Sequence, residues 1–97
     1  MKRHAFLTEA YNKVEKLDLT YFNEPPLTNM FAMFALMQSV KSIDLSGFNT
    51  SNVTDMSALF WQCLELESVN INSFNTVKVT NMANMFANCS KLKSVNV

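Results

Sequence analysis

The chain has 97 residues, room for a single domain with little apolar area to spare. An apolar fraction of 48%, with eight Phe and seven Met, points to a packed core rather than disorder. Eight basic and eight acidic residues cancel to a formal net charge of zero, so the electrostatic footprint of a direct nucleic-acid binder is missing. One Gly and two Pro are few for a chain that must turn many times. Its turns must therefore be built from Asn, Asp, Ser and Thr, whose side chains hydrogen-bond to nearby backbone.

At the N-terminus, "MKRH" is followed by Ala5, Phe6, Leu7, Thr8 and Glu9, so the apolar core of a secretory signal never develops. No stretch is long enough to span a bilayer. As the chain stands, a cytoplasmic protein is expected; a cell-surface location applies if it is part of a longer exported one. Phe6, Ala10, Tyr11 and Val14 recur at helical spacing, with Glu9, Lys13 and Lys16 on the other side. This predicts a capping helix over residues 1–13 that shields the apolar end of the residues beyond it.

From residue 14 onward the chain repeats with a period of 26. Leu17, Ile43, Val69 and Val95 fall in one column, and Leu19, Leu45, Ile71 and Val97 in another. Further columns are Val14, Val40, Leu66, Leu92; Phe22, Phe48, Phe74; Met30, Met56, Met82; and Phe34, Phe60, Phe86. Registration without an insertion predicts coils stacked one on the next, in copies 17–42, 43–68, 69–94 and a partial 95–97. In each copy the alternation seen at Ile43, Asp44, Leu45 and Ser46 predicts a short half-buried strand. Val53, Met56, Leu59, Phe60 and Cys63 then fit one face of a short helix. Thr54 is placed as its N-cap and Asp55 in its first turn. A fourth strand reaches Val97, and its bare edge is a template for further pairing, including a homodimer.

The stretch "SIDLSGFNTSNVTDMSALFWQC" (42–63) and its echo "SVNINSFNTVKVTNMANMFANC" (68–89) resemble the 26-residue bacterial surface-protein repeat of the BspA-like leucine-rich-repeat superfamily, also common in mycoplasma lipoproteins. The first copy departs from it, with "NEPPLTNMFAMFALM" (23–37) in the corresponding place. The resemblance implies an α/β fold: a leucine-rich-repeat solenoid over residues 14–97. Its parallel sheet would have about four short strands, with one short helix per coil. It also implies non-enzymatic binding, often at a cell surface.

Chemistry is sparse. Cys63 and Cys89 share a column; between stacked helices they would lie too far apart to bond, and they read as core thiols. His4 is the sole histidine and lies far from both in sequence, so no metal set forms. One Gly excludes a phosphate-cradling loop. Asp18 and Asp44 share an outward column, where close carboxylates could do acid–base work. The column continues as Asn70 and Asn96, however, and reads as a polar ladder. Neither an enzymatic activity nor a cofactor is expected.

The outward strand residues are Lys16, Asp18 and Thr20; Ser42, Asp44 and Ser46; Ser68, Asn70 and Asn72; then Ser94 and Asn96. Together they predict a flat polar face suited to a protein, or to a glycan, rather than to enclosing a small molecule. Trp61, in a column otherwise Ala35 and Ala87, is a further candidate contact. Such a protein-binding module has two candidate settings. One is a small stand-alone intracellular inhibitor acting by contact with a larger protein or ribonucleoprotein, as phage-encoded proteins of the anti-CRISPR kind do. The other is an adhesion or interaction module of a bacterial cell-surface protein.

Overall fold

The structure is a computed structural model that describes residues 15–18 and 27–97; the side chains of Leu17 and Asp18 are not among the described parts. The expected cap at residues 1–13 lies outside the described residues. Four three-residue strands are formed, β1 (Lys16–Asp18), β2 (Ser42–Asp44), β3 (Ser68–Asn70) and β4 (Ser94–Asn96). They lie side by side in chain order as one parallel sheet. Every pairing joins residues 26 positions apart: Leu17 to Ile43, Ile43 to Val69, Val69 to Val95. The alternation in sequence is the cause. Ile43 and Val69 are buried while their neighbours Ser42, Asp44, Ser68 and Asn70 stay partly open, as a pleat with one apolar face requires. A second ladder runs through isolated bridges joining Asn29, Asp55 and Asn81.

The helix expected in each coil is absent from the described residues; residues 30–37, 56–63 and 82–89 are runs of tight turns instead. Where their backbone donors go explains this. The N–H groups of Met30, Ala32, Phe34 and Leu36 donate to the carbonyls of Asp55, Ser57, Leu59 and Trp61, at 2.8, 3.0, 3.0 and 2.9 Å. Those of Met56, Ala58, Phe60 and Gln62 donate in the same way to Asn81, Ala83, Met85 and Ala87, at 2.9, 2.9, 2.9 and 2.8 Å. Alternate N–H groups are thus spent on the neighbouring copy and cannot close helical rings. The intervening donors close short turns, as when Leu59 N–H reaches the Met56 carbonyl at 3.3 Å and Cys63 N–H that of Phe60 at 3.2 Å. These turns carry positive φ at Ala32, Leu36, Ala58, Gln62, Asn84 and Asn88, between 53° and 63°. That conformation is open to Asn at little cost and disfavoured for Ala, Leu and Gln.

Thr54 is accordingly no N-cap. Its N–H and hydroxyl both reach back to the Thr28 carbonyl, at 3.0 and 3.3 Å, and Thr80 repeats this on Thr54 at 2.8 and 3.1 Å. Asp55 accepts from the Ser57 N–H at 2.8 Å, closing a local turn. The near-absence of Gly is met as the composition predicts. Side-chain oxygens of Asn29, Asp44, Asn49, Asp55, Asn70, Asn75 and Asn81 each accept the N–H two residues on. The copies 43–68 and 69–94 have three such turns each, at Asp44, Asn49 and Asp55 and at Asn70, Asn75 and Asn81.

Stacked copies bring like residues together in the core. Phe34, Phe60 and Phe86 form a column with ring centroids 6.0 and 5.2 Å apart and planes within 13° and 14° of parallel. Phe48 meets Phe34 edge-on at 6.1 Å. Met30, Met56, Leu59, Val40, Leu45 and Leu66 are fully buried around them. Replacing Phe60 by Ala removes the middle ring of the stack and is expected to cost about 3–5 kcal/mol, a large share of the stability of a domain this size; denaturant melts measure it. Ala58→Gly tests the turns by sign. At positive φ it is expected to be neutral or stabilising by up to about 1 kcal/mol, whereas in a helix interior it would lose about 1 kcal/mol.

Candidate functional site

The period of 26 and the period-2 alternation of the strands together build a polar face. Lys16, Ser42, Ser68 and Ser94 form one column across the sheet, and Asp18, Asp44, Asn70 and Asn96 the next. Ser42, Asp44, Ser46, Ser68 and Asn70 are partly open, and Asn72, Ser94 and Asn96 are exposed. The strands thus bring the expected contact residues together, except for Thr20, which lies outside the described residues. Trp61 is not brought to them. It sits half-exposed in the turn run, where its N–H donates to the Ala58 carbonyl at 3.0 Å and its carbonyl accepts from Leu36 at 2.9 Å.

Asp44 and Asn70 carry a structural duty as well. The Asp44 Oδ1 accepts from the Ser46 N–H at 2.9 Å and the Asn70 Oδ1 from the Asn72 N–H at 3.1 Å. One oxygen of each side chain therefore holds the turn that ends its strand. The second polar atom of each, Asp44 Oδ2 and Asn70 Nδ2, makes no hydrogen bond among the described residues. Grooves among the described residues lie off these columns, among them one of about 480 Å³ beside Glu15, Gln38, Ser39, Lys41 and Glu65 and another at the C-terminal end of the stack. Among the described residues no three His, Cys, Asp or Glu side chains cluster as a metal set.

Beside the strands runs a feature missed by reading along the chain. The position before each strand is Glu15, Lys41, Glu67 and Lys93, acid and base in alternation. Lys41 pairs with Glu15 at 3.1 Å and Lys93 with Glu67 at 3.9 Å, while Lys91 reaches Glu65 at 2.9 Å. The hydrogen bond and charge of Glu15 raise the Lys41 ammonium above its usual range, with Glu67 and Glu65 adding to it. These pairs are exposed and individually weak; their value is in register and in the sign of charge each copy presents to the next. The signal was in the sequence, but only down a column.

Cys63 and Cys89 are free. Hydrogen-bonded coils rather than stacked helices set their surroundings. Each S–H donates to a carbonyl of the preceding copy, Cys63 to Phe34 and Cys89 to Phe60, both at 3.0 Å. Burial pushes the Cys63 thiol from the ordinary 9.0 up to about 12, and burial raises Cys89 too. Neither thiol has the depressed pKa that makes a cysteine nucleophile.

A family model described as "Mycoplasma protein of unknown function, DUF285" matches residues 3–96. No curated protein and no solved structure matches. No helix among the described residues is long and apolar enough to cross a membrane.

The raised Cys63 pKa predicts a pH dependence. The folded state holds the proton more tightly than the unfolded chain. Its contribution is therefore complete below about pH 9 and is lost as pH climbs toward 12, by about 1.4 kcal/mol per pH unit. Denaturant melts under reducing conditions at rising alkaline pH are expected to show a steeper loss in the native chain than in Cys63→Ala, where the raised Cys89 and Lys41 leave a shallower slope.

Proposed function

The chain belongs to the DUF285 family of Mycoplasma proteins of unknown function, and we propose that it is a non-enzymatic binding module whose polar strand face docks a protein. The observation that carries this reading is the 26-residue register. It sets Lys16, Ser42, Ser68 and Ser94 beside Asp18, Asp44, Asn70 and Asn96 as adjoining columns of one sheet. Such a face offers hydrogen-bonding groups without a pocket, the requirement for contact with a macromolecular surface rather than capture of a metabolite. Backbone turns fix the positions of the Asp44 and Asn70 side chains, which lowers the entropy lost when a partner binds.

The family is one to which BspA-like repeats are related, and we read the stack of coils as a short leucine-rich-repeat solenoid of that superfamily, in a form whose coils carry turns in place of helices. We favour action by contact inside the cell, as a small inhibitor that covers part of a larger protein or ribonucleoprotein. The likeness of the repeat to bacterial surface proteins supports the second reading, an adhesion module that meets a protein or glycan outside the cell.

Affinity capture with tagged chain tests both, from a cytosolic lysate and from a host-cell surface extract, with bound proteins identified by mass spectrometry. The control is Ser42→Lys/Ser68→Lys, which changes the face while sparing the oxygens that hold turns. Its thermal melt is expected to match the native chain, and its capture to be lost. An intracellular enzyme or ribonucleoprotein lost with the control supports inhibition; a surface protein or glycoprotein supports adhesion. Capture indifferent to both substitutions would place the contact elsewhere on the molecule.

A further inference from the structure

One column of the repeat carries sulfur in every described copy. Met37, Cys63 and Cys89 stand 26 positions apart. Met37 and Cys63 are fully buried, and Cys89 is half-buried against the same core. The period repeats their surroundings as well. The Cys63 thiol donates to the Phe34 carbonyl and the Cys89 thiol to the Phe60 carbonyl, both at 3.0 Å. One sulfur is therefore displaced from the other by the rise of one copy. Three residues earlier in each copy, the Phe60 and Phe86 rings lie 5.2 Å apart, and hydrogen-bonded neighbours in a sheet are about 4.8 Å apart.

That spacing decides what the pair can do. A disulfide holds its sulfurs about 2.05 Å apart, so these two would have to draw together by more than half, and both thiols are free. Two metal–thiolate bonds of about 2.3 Å, the zinc–thiolate value, span about 4.6 Å end to end. An ion midway between the sulfurs, on the stacking axis, thus meets both without displacing either copy.

The donor set fixes the kind of ion. Thiolate and thioether are soft ligands that select copper(I) over hard cations. Two thiols fall short of the four ligands of a structural zinc site, and among the described residues no group of three His, Cys, Asp or Glu side chains could hold a metal. A two-coordinate monovalent ion requires no more than the pair. Two thiolates and one such ion leave a single negative charge in the core, which needs hydrogen-bond donors. Burial disfavours both thiolates. Against it, a hydrogen bond from the Met37 backbone and one from Leu36 favour the Cys63 thiolate, and one from the Cys63 backbone favours that of Cys89.

We propose that Cys63 and Cys89 are the paired ligands of a single soft monovalent cation of the copper(I) or silver(I) class, held between two copies in the core and apart from the strand face. As each sulfur–metal bond forms, an S–H bond breaks and its proton leaves to solvent. No electron is transferred, and the ion stays monovalent. Both ligands and the backbone donors to them belong to described copies, so the site is complete whatever adjoins the stack. The ion ties one copy to the next, so binding is coupled to folding.

The probe is silver(I), titrated into the full chain freed of reductant in oxygen-free, chloride-free buffer and followed by native mass spectrometry and proton release. One ion per chain is expected, with two protons released, a raised melting temperature and two sulfurs around silver in its X-ray absorption spectrum. Cys89→Ala changes the less buried position. It is expected to lose more affinity than the roughly 10- to 100-fold that removing an outer-shell partner costs. Zinc(II) at the same concentration is expected to release no protons. Absence of saturable binding overturns the proposal, as do two ions per chain with one proton each, a silver-linked dimer, or a single sulfur per silver. Undiminished affinity in Cys89→Ala, or zinc binding as tight as silver, overturns it too. The proton and sulfur counts are read on the native chain and decide the matter even where the variant fails to fold.

Discussion

The backbone hydrogen bond between one copy and the next is the constraint on which the rest of the molecule depends. From Met30 to Asp55, from Phe34 to Leu59 and from Phe60 to Met85, each such bond takes an N–H that a helix would have used internally. Buried amides must find partners somewhere, and here they find them one period away. No copy can satisfy its own backbone, so none is a folding unit, and the strict spacing results. An inserted residue would shift every later donor off its acceptor at once.

Stacking in register forces like residues into contact, and the columns divide according to whether they tolerate it. Phe34, Phe60 and Phe86 gain from self-contact, as neighbouring rings do. Thr28, Thr54 and Thr80 gain through hydroxyls that reach the carbonyl beneath. Charges do not gain, since like charges directly opposite on paired strands repel. The column of Glu15, Lys41, Glu67 and Lys93 alternates in sign, and the bridge column keeps its one carboxylate, Asp55, between Asn29 and Asn81. In these two columns the departures from exact repetition fall where repetition would set like charges together, whereas Asp18 and Asp44 stay opposite one another in the sheet.

This explains what could be read in advance. The inward set Met56, Leu59, Phe60 and Cys63 was legible, and all four are fully buried. The helix inferred from them was not real, because steps of three and four residues also describe successive tight turns. Nothing at Ala32, Leu36, Ala58 or Gln62 signals positive φ, since none is Gly or Asn; only Asn84 and Asn88 hint at it. Asp and Asn as turn builders were foreseeable from the single Gly. Thr54 looked like a cap because its neighbours suited one, while its real partner, Thr28, is 26 residues away. Local signals failed where the deciding contact was one period distant, and column signals held.

The same logic bears on the strand face proposed to dock a partner. In an ordinary loop, Asp44 and Asn70 would be free to rearrange for a partner, at an entropic cost. Here one oxygen of each is committed to the turn that ends its strand, and the strands are fixed by pairing on both sides. Their outward atoms are held in position before any partner arrives. Ser42, Ser68 and Ser94 add a column of small hydroxyls beside them. A surface of this kind discriminates by the spacing of its hydrogen-bonding groups, set by the sheet, more than by shape. Recognition by the proposed face would therefore rest on the same period that holds the core together.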